Sequence, residues 1–242
     1  RQRQMCIRDR YDEAPGLRPG MKTVGRRLNT FLGYVTNGLY ENYTDVEESP
    51  TSTLGNIAIS PGDIKYVDQP DANGNYDGRI TSDDRVEIGD PWIPEIVYGF
   101  GPSMRWKNWD FSFFFQGQTN VSLIMENFEP FGERSARGVL AWIADDYWSP
   151  DYPNVNAKHP RLTRLTNNHN MQVSTYWLRD ASFLKLKNVE LGYSYKKARF
   201  YISGSNLLTI SPFKHWDPEV GTGAGMQYPT QRIFNLGIQM SF

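Results

Sequence analysis

Several stretches of the chain alternate apolar and polar side chains residue by residue. RIFNLGIQMSF (232–242) sets Phe234, Leu236, Ile238, Met240 and Phe242 on one side and Ile233, Asn235, Gly237, Gln239 and Ser241 between them. WDFSFFFQG (109–117) sets Phe111, Phe113 and Phe115 opposite Ser112, Phe114 and Gln116. VELGYSY (189–195) sets Val189, Leu191, Tyr193 and Tyr195 opposite Glu190, Gly192 and Ser194. RFYISGSN (199–206) alternates Phe200 and Ile202 with Tyr201, Ser203 and Ser205, and IVYGFGPSMRW (96–106) is a weaker version of the same pattern. Side chains of a strand point alternately to its two faces, so each stretch predicts a strand with one apolar and one polar side.

The connections between these strands are of two kinds. Lys107-Asn108 and Lys196-Lys197-Ala198 are short enough for tight hairpin turns. The others are long, at about 41–95, 118–181 and 207–230. Compact soluble domains rarely carry several loops of that length. An outer-membrane barrel alternates short periplasmic turns with long extracellular loops, and the order long, short, long, short, long matches that rule. Trp106 and Trp109 flank one short turn, and Tyr195 and Tyr201 lie near the other. Amphipathic rings belong at a membrane–water boundary. The final alternating stretch is long enough for a tilted strand to cross the hydrocarbon. It runs to the last residue, Phe242, as closure of a barrel against an unpaired edge in lipid requires.

The expectation is therefore an all-β fold: an antiparallel transmembrane β-barrel fragment with long extracellular loops and one short loop helix. That helix comes from ARGVLAWIADDYW (136–148), where Val139, Leu140, Trp142, Ile143 and Tyr147 have helical spacing. The alternative is a secreted soluble β-domain that binds glycans, has a calcium-stabilised Asx-rich loop and buries the apolar strand faces against a second sheet.

Composition agrees with strands and turns. Aromatic residues make up 14% of the chain, and it has 21 glycines, with a hydrophobic fraction of only 39%. No apolar run is long enough for a transmembrane helix, which leaves a barrel open. The net charge is −1 with no basic block, so no nucleic-acid partner is indicated. The opening RQRQMCIRDR (1–10) has no period, cap or signal-peptide core and reads as a non-native or artefactual start; it holds the one cysteine, Cys6. Residues 11–242 are then the segment to be explained.

A series of strings carries a resemblance. GYVTNGLYEN (33–42), PGDIKYVD (61–68), DGRITSDDRVEIGDPWIPEIVYGF (77–100), WDFSFFFQG, YWSPDYPN (147–154), HPRL (159–162), WLRDASFLKLKNVELGYS (177–194), SGSNLLTIS (203–211) and WDPEV (216–220) occur in this order. Together they resemble the carboxyl-terminal part of the SusC/RagA family of TonB-linked outer-membrane transporters, from about residue 21 onward. The resemblance implies the last strands of a large plugged barrel. It implies an importer of oligosaccharides or peptides in the outer membrane of a Bacteroidota-type Gram-negative bacterium. It also implies a SusD-like surface lipoprotein as lid, the TonB complex acting through an amino-terminal part outside this sequence, and the barrel-insertion machinery. Phe234, Leu236, Ile238, Met240 and Phe242 would form the strand that the insertion machinery reads. A fragment of this kind is not expected to transport by itself.

NGNYDGRITSDD (73–84) matches a calcium loop in outline. Asn73, Asn75 and Asp77 take the first three ligand positions, Gly78 the sharp turn, Arg79 a carbonyl position and Asp84 the last. Against this stand Asn at the first position, the short Asp at the last and the lack of flanking helices; a run of Asx and Gly turns accounts for the same residues. No cofactor is required, and Ca²⁺ is the one ion the pattern suggests. The three histidines lack metal-ligand spacing and no nucleophile elbow occurs, so no enzyme is expected. Trp142, Tyr147, Trp148, Trp216 and Asp217 are candidates for contact with cargo or lid.

Overall fold

The computed structural model describes residues 22, 24–125, 141–223, 227, 228 and 230–241. The first ten residues, Phe242 and the start of the expected loop helix lie outside them. The chain divides into two compact units, Arg1–Gly89 with Ile124–Leu178, and Asp90–Leu123 with Arg179–Phe242.

The second unit is a six-stranded antiparallel sheet. Its strands are β7 (Ile96–Phe100), β8 (Ser103–Trp106), β9 (Trp109–Thr119), β12 (Phe183–Tyr195), β13 (Ala198–Ile210) and β14 (Ile233–Met240). The order is β14-β13-β12-β9-β7, and β8 pairs with the other half of β9. β7 and β8 are therefore one long strand interrupted at Gly101-Pro102, where proline has no N–H for the ladder. β8–β9 and β12–β13 are joined by two-residue turns, Lys107-Asn108 and Lys196-Lys197, the latter one residue shorter than the sequence suggested. Both turns open on a lysine at positive φ, 55° and 53°. Each lysine lies over the preceding ring: Lys107 Nζ is 4.9 Å from the Trp106 centroid and Lys196 Nζ 5.4 Å from that of Tyr195.

The register turns the alternating pattern into two continuous faces. Leu236 pairs with Ile202, Ile202 with Leu191, Leu191 with Phe111, and Phe111 with Met104. The next row is Asn235, Ser203, Glu190, Ser112 and Ser103. A bulge between Leu186 and Asn188 interrupts both ladders of β12. It explains a change of phase in the sequence: the apolar positions are Leu184 and Leu186 before it and Val189 and Leu191 after it. Without the extra residue Lys187, one half of the strand would present its polar side to the apolar face. Asn206 at φ 56° accommodates the matching irregularity in β13.

The first unit has short strands: β1 (Phe31–Gly33) pairs with β6 (Val86–Ile88), β2 (Thr36–Leu39) with β4 (Ile64–Tyr66), and β3 (Thr51–Ser52) with β5 (Arg79–Ile80). The chain passes between units at β10 (Ser122–Ile124) and β11 (Leu178–Asp180). A helix, α1 (Tyr43–Glu48), starts at Asn42, whose side chain accepts from the Asp45 N–H at 2.9 Å. The expected loop helix is a single described turn, α2 (Ala141–Ala144), with Ile143 fully buried. Tyr40, Ile64, Tyr66, Ile80 and Trp148 are also buried in this unit. At the centre lies Asp63, fully buried, held by Arg161 through two bonds of 2.7 and 3.0 Å and by the amides of Asn167 and Asn170 at 2.9 Å each. The long loops thus have a core of their own, which balances a buried carboxylate with a bidentate guanidinium.

No helix among the described residues is long and apolar enough to cross a membrane, which has no bearing on strands.

Candidate functional site

The apolar face of the sheet is open. Phe234, Leu236, Ile238 and Met240 are 59–85% exposed, and Ile202, Phe200, Met104 and Trp106 are exposed with them. A soluble two-sheet domain needs this face buried, so the sandwich alternative does not describe the fold. Towards the two tight turns the face becomes aromatic. Trp106 pairs with Trp109, Trp109 with Tyr193 and Tyr193 with Phe200, and the Trp109 and Tyr193 rings are 4.8 Å apart. Tyr201 departs from the expected belt: it pairs with Gly192 and Gly237 on the polar face, under the Arg199 guanidinium. Four of the assembly residues named from the sequence, Phe234, Leu236, Ile238 and Met240, lie on the apolar face; Phe242 lies outside the described residues. Beyond Met240 the Ser241 N–H still donates to the Lys197 carbonyl at 2.9 Å.

The opposite face carries the charges and hydroxyls. Arg199 binds Asp110 and, at 2.5 Å, Glu190, so three strands are tied by one guanidinium. Beside it, Ser112, Phe114, Asn188, Glu190, Ser203 and Ser205 bound an open groove of about 360 Å³. Further along, Lys185 is fully buried and donates to both oxygens of Asp217 at 2.6 Å and to Glu219 at 2.5 Å; Lys187 adds a second bond to Glu219 at 2.6 Å. Burial pushes the Asp217 carboxyl up, but hydrogen bonds from Lys185, Thr230 and the Glu219 N–H and the Lys185 charge outweigh it and hold its pKa below the ordinary value. Glu219 is lowered in the same way, burial opposed by both lysines. Asp217 also caps the 3₁₀ turn Pro218–Val220.

These partners redefine the candidates read from the sequence. Asp217 is a strut between β12 and the loop through Lys185. Trp216 remains half-open, its indole N–H on the Gly221 carbonyl at 3.2 Å and its ring 4.6 Å from that of Phe213. Trp148 is buried, with its ring against Gly62. Trp142 stacks edge-on against His159 at 4.8 Å, and Tyr147 bridges to His159 by its backbone.

The Asx-rich loop is closed by its own backbone. Asp71 accepts from the N–H groups of Asn73 and Asn75, and Asp77 from that of Arg79. Arg79 begins β5. Asp84, fully buried, accepts from Gln69 N–H at 3.0 Å and Thr81 N–H at 2.7 Å. Among the described residues no group of three or more His, Cys, Asp or Glu side chains is placed to hold a metal ion. These side-chain-to-backbone bonds are those of a run of Asx turns.

No family model matches the chain. It is 28% identical over 241 residues to TonB-dependent receptor P3 of Formosa agariphila, covering 90% of this chain and 22% of that protein. With TonB-dependent receptor SusC of Bacteroides thetaiotaomicron it shares 27% identity over 223 residues, 87% of this chain and 20% of the relative. Its structure aligns with one in the RagAB peptide importer in the open-open state at a TM-score of 0.63 and 23% identity, over 90% of this chain and 23% of the other. The chain therefore spans about a fifth of the length of the curated relatives it matches.

Proposed function

Because the chain belongs to the SusC/RagA family of TonB-linked receptors, we propose that it is a section of the wall of an outer-membrane nutrient importer. The observation that carries this reading is the sheet with two unlike faces. Its open apolar face is the lipid-facing side, its aromatic end lies at the membrane boundary, and its charged face lines the lumen. The long connections between the strands are its extracellular loops. The whole receptor takes up oligosaccharides or peptides under a SusD-like lipoprotein lid and depends on TonB. Names of the relatives support this: one is SusC, and another belongs to a peptide importer.

The test is made in cells. A strain lacking the gene and a strain lacking TonB are grown on a panel of oligosaccharides and peptides. Loss of growth on the same cargo in both strains is the expected result. Normal growth of the gene deletion on every cargo rejects import, and uptake that survives removal of TonB rejects the energy source.

A further inference from the structure

At the Lys185–Asp217 strut, a cavity of about 240 Å³ is lined by residues of β13, the 211–218 segment, Thr230 and Arg232. Its charges do not cancel. Lys185 and Lys187 are matched by Asp217 and Glu219. Lys214 and Arg232 also belong to this wall, are exposed, and have no ion pair or hydrogen bond among the described residues. Trp216 lines the same cavity, and its indole N–H is bonded to the Gly221 carbonyl. Asn206, Thr209 and Thr230 also line it; the Asn206 amide donates to the Gln231 carbonyl at 3.2 Å and Thr230 to Asp217, which leaves the Asn206 and Thr230 oxygens and the Thr209 hydroxyl for a ligand.

We propose that this cavity binds one anion-bearing sugar residue, a uronate or sulfated ring, of an oligosaccharide cargo. The inference rests on the importer reading and adds a substrate class to it. Each element has a separate task. The two cations form charge-assisted hydrogen bonds to a carboxylate or sulfate. Trp216 offers an apolar face to the C–H side of a ring. The amide and hydroxyls match ring hydroxyls, groups that an extended acidic peptide lacks. The neighbouring strut keeps the pocket positive, since its own two carboxylates are neutralised by Lys185 and Lys187 and do not repel an anion.

The receptor containing this chain, purified in detergent, is titrated calorimetrically with an oligogalacturonide, a sulfated oligosaccharide, a neutral oligosaccharide of equal length and a glutamate-rich peptide. The expected result is tighter binding of one anionic sugar than of the neutral one, with the preferred sugar telling carboxylate from sulfate. Lys214→Gln with Arg232→Gln weakens that binding at least tenfold and leaves the neutral sugar unaffected; both residues are exposed, so the fold is kept. Trp216→Ala weakens both sugars. Binding of neither anionic sugar above the neutral one, equal losses of the anionic and neutral sugars in the Lys214→Gln, Arg232→Gln variant, or a peptide bound as tightly through the same two residues overturns the proposal. Anionic sugar binding through Lys214 and Arg232 in a receptor whose deletion leaves all growth intact rejects import and keeps the subsite.

Discussion

A Cβ on Gly192 would lie 2.6 Å from the Arg199 Nη2 and from both carboxylate oxygens of Asp110. Only the absence of a side chain on β12 lets Arg199 reach across it from β13 to β9. Gly192→Val is expected to break the Arg199–Asp110–Glu190 cluster and to destabilise the sheet by more than about 2 kcal/mol, because charges on the polar face lose their partners. A lowered unfolding temperature in detergent checks this; Ser194→Val, one step along the same face, is the control and shifts it little. His169 sets a second residue-scale expectation. Its Nε2–H donates to the Ile64 carbonyl at 2.7 Å, which leaves Nδ1 to accept from the Ser52 hydroxyl at 3.1 Å. Burial pushes its pKa below the ordinary 6.5, the Ile64 bond and Asp63 opposing, so the folded unit keeps the ring neutral where the unfolded chain protonates. The stabilisation is present above 6.5 and is lost as pH falls through the lower folded value. Amide exchange of the loop unit is expected to speed up below that pH in the native protein and to lose this dependence in His169→Gln.

At the scale of elements, the bulge in β12 decides which side of the strand meets lipid. Deleting Lys187 restores an unbroken period and forces either 183–186 or 188–195 to turn over. Asn188 and Glu190 or Lys185 would then face lipid, where an ionised side chain costs about 2–4 kcal/mol near the midplane, less for carboxylates. The deletion is expected to abolish membrane insertion, read as loss of the protein from the washed membrane fraction, whereas Lys187→Ala inserts. A deletion that inserts normally would refute the assignment of faces. The strands themselves were legible because period two is a local signal, and 109–117 and 189–195 alternate cleanly. The 183–188 half of β12 was not, since its phase opposes the half that follows and a pattern search stops at the switch. The core of the long loops was illegible for another reason. Asp63 lies 98, 104 and 107 residues before Arg161, Asn167 and Asn170, and they converge without any period. Asn42 with Asp45 did mark the start of α1, a cap signal that the loop assignment passed over.

For the whole molecule, the two faces make opposite demands on one kind of substitution. Ile202 and Ser203 are neighbours on β13, at equal depth by register, with Ile202 half-exposed on the apolar side and Ser203 on the polar side beside Glu190. Sequence distance, strand and pairing partners are therefore held almost constant. Ile202→Arg puts an unpaired guanidinium among Leu191 and Leu236, and its expected penalty is about 2–4 kcal/mol if that row lies near the bilayer midplane. Ser203→Arg stays in the wetted lumen with Glu190 as a partner, and its expected change is within about 1 kcal/mol. Refolding equilibria of the receptor in lipid vesicles separate the two. Equal small effects mean that water covers both faces and the wall reading fails. A large effect at Ser203 with none at Ile202 means that the faces are reversed. The expected asymmetry is strong only in bilayers and shrinks when the same pair is measured in urea-solubilised chains, because hydrocarbon, not the neighbouring strand, supplies the penalty.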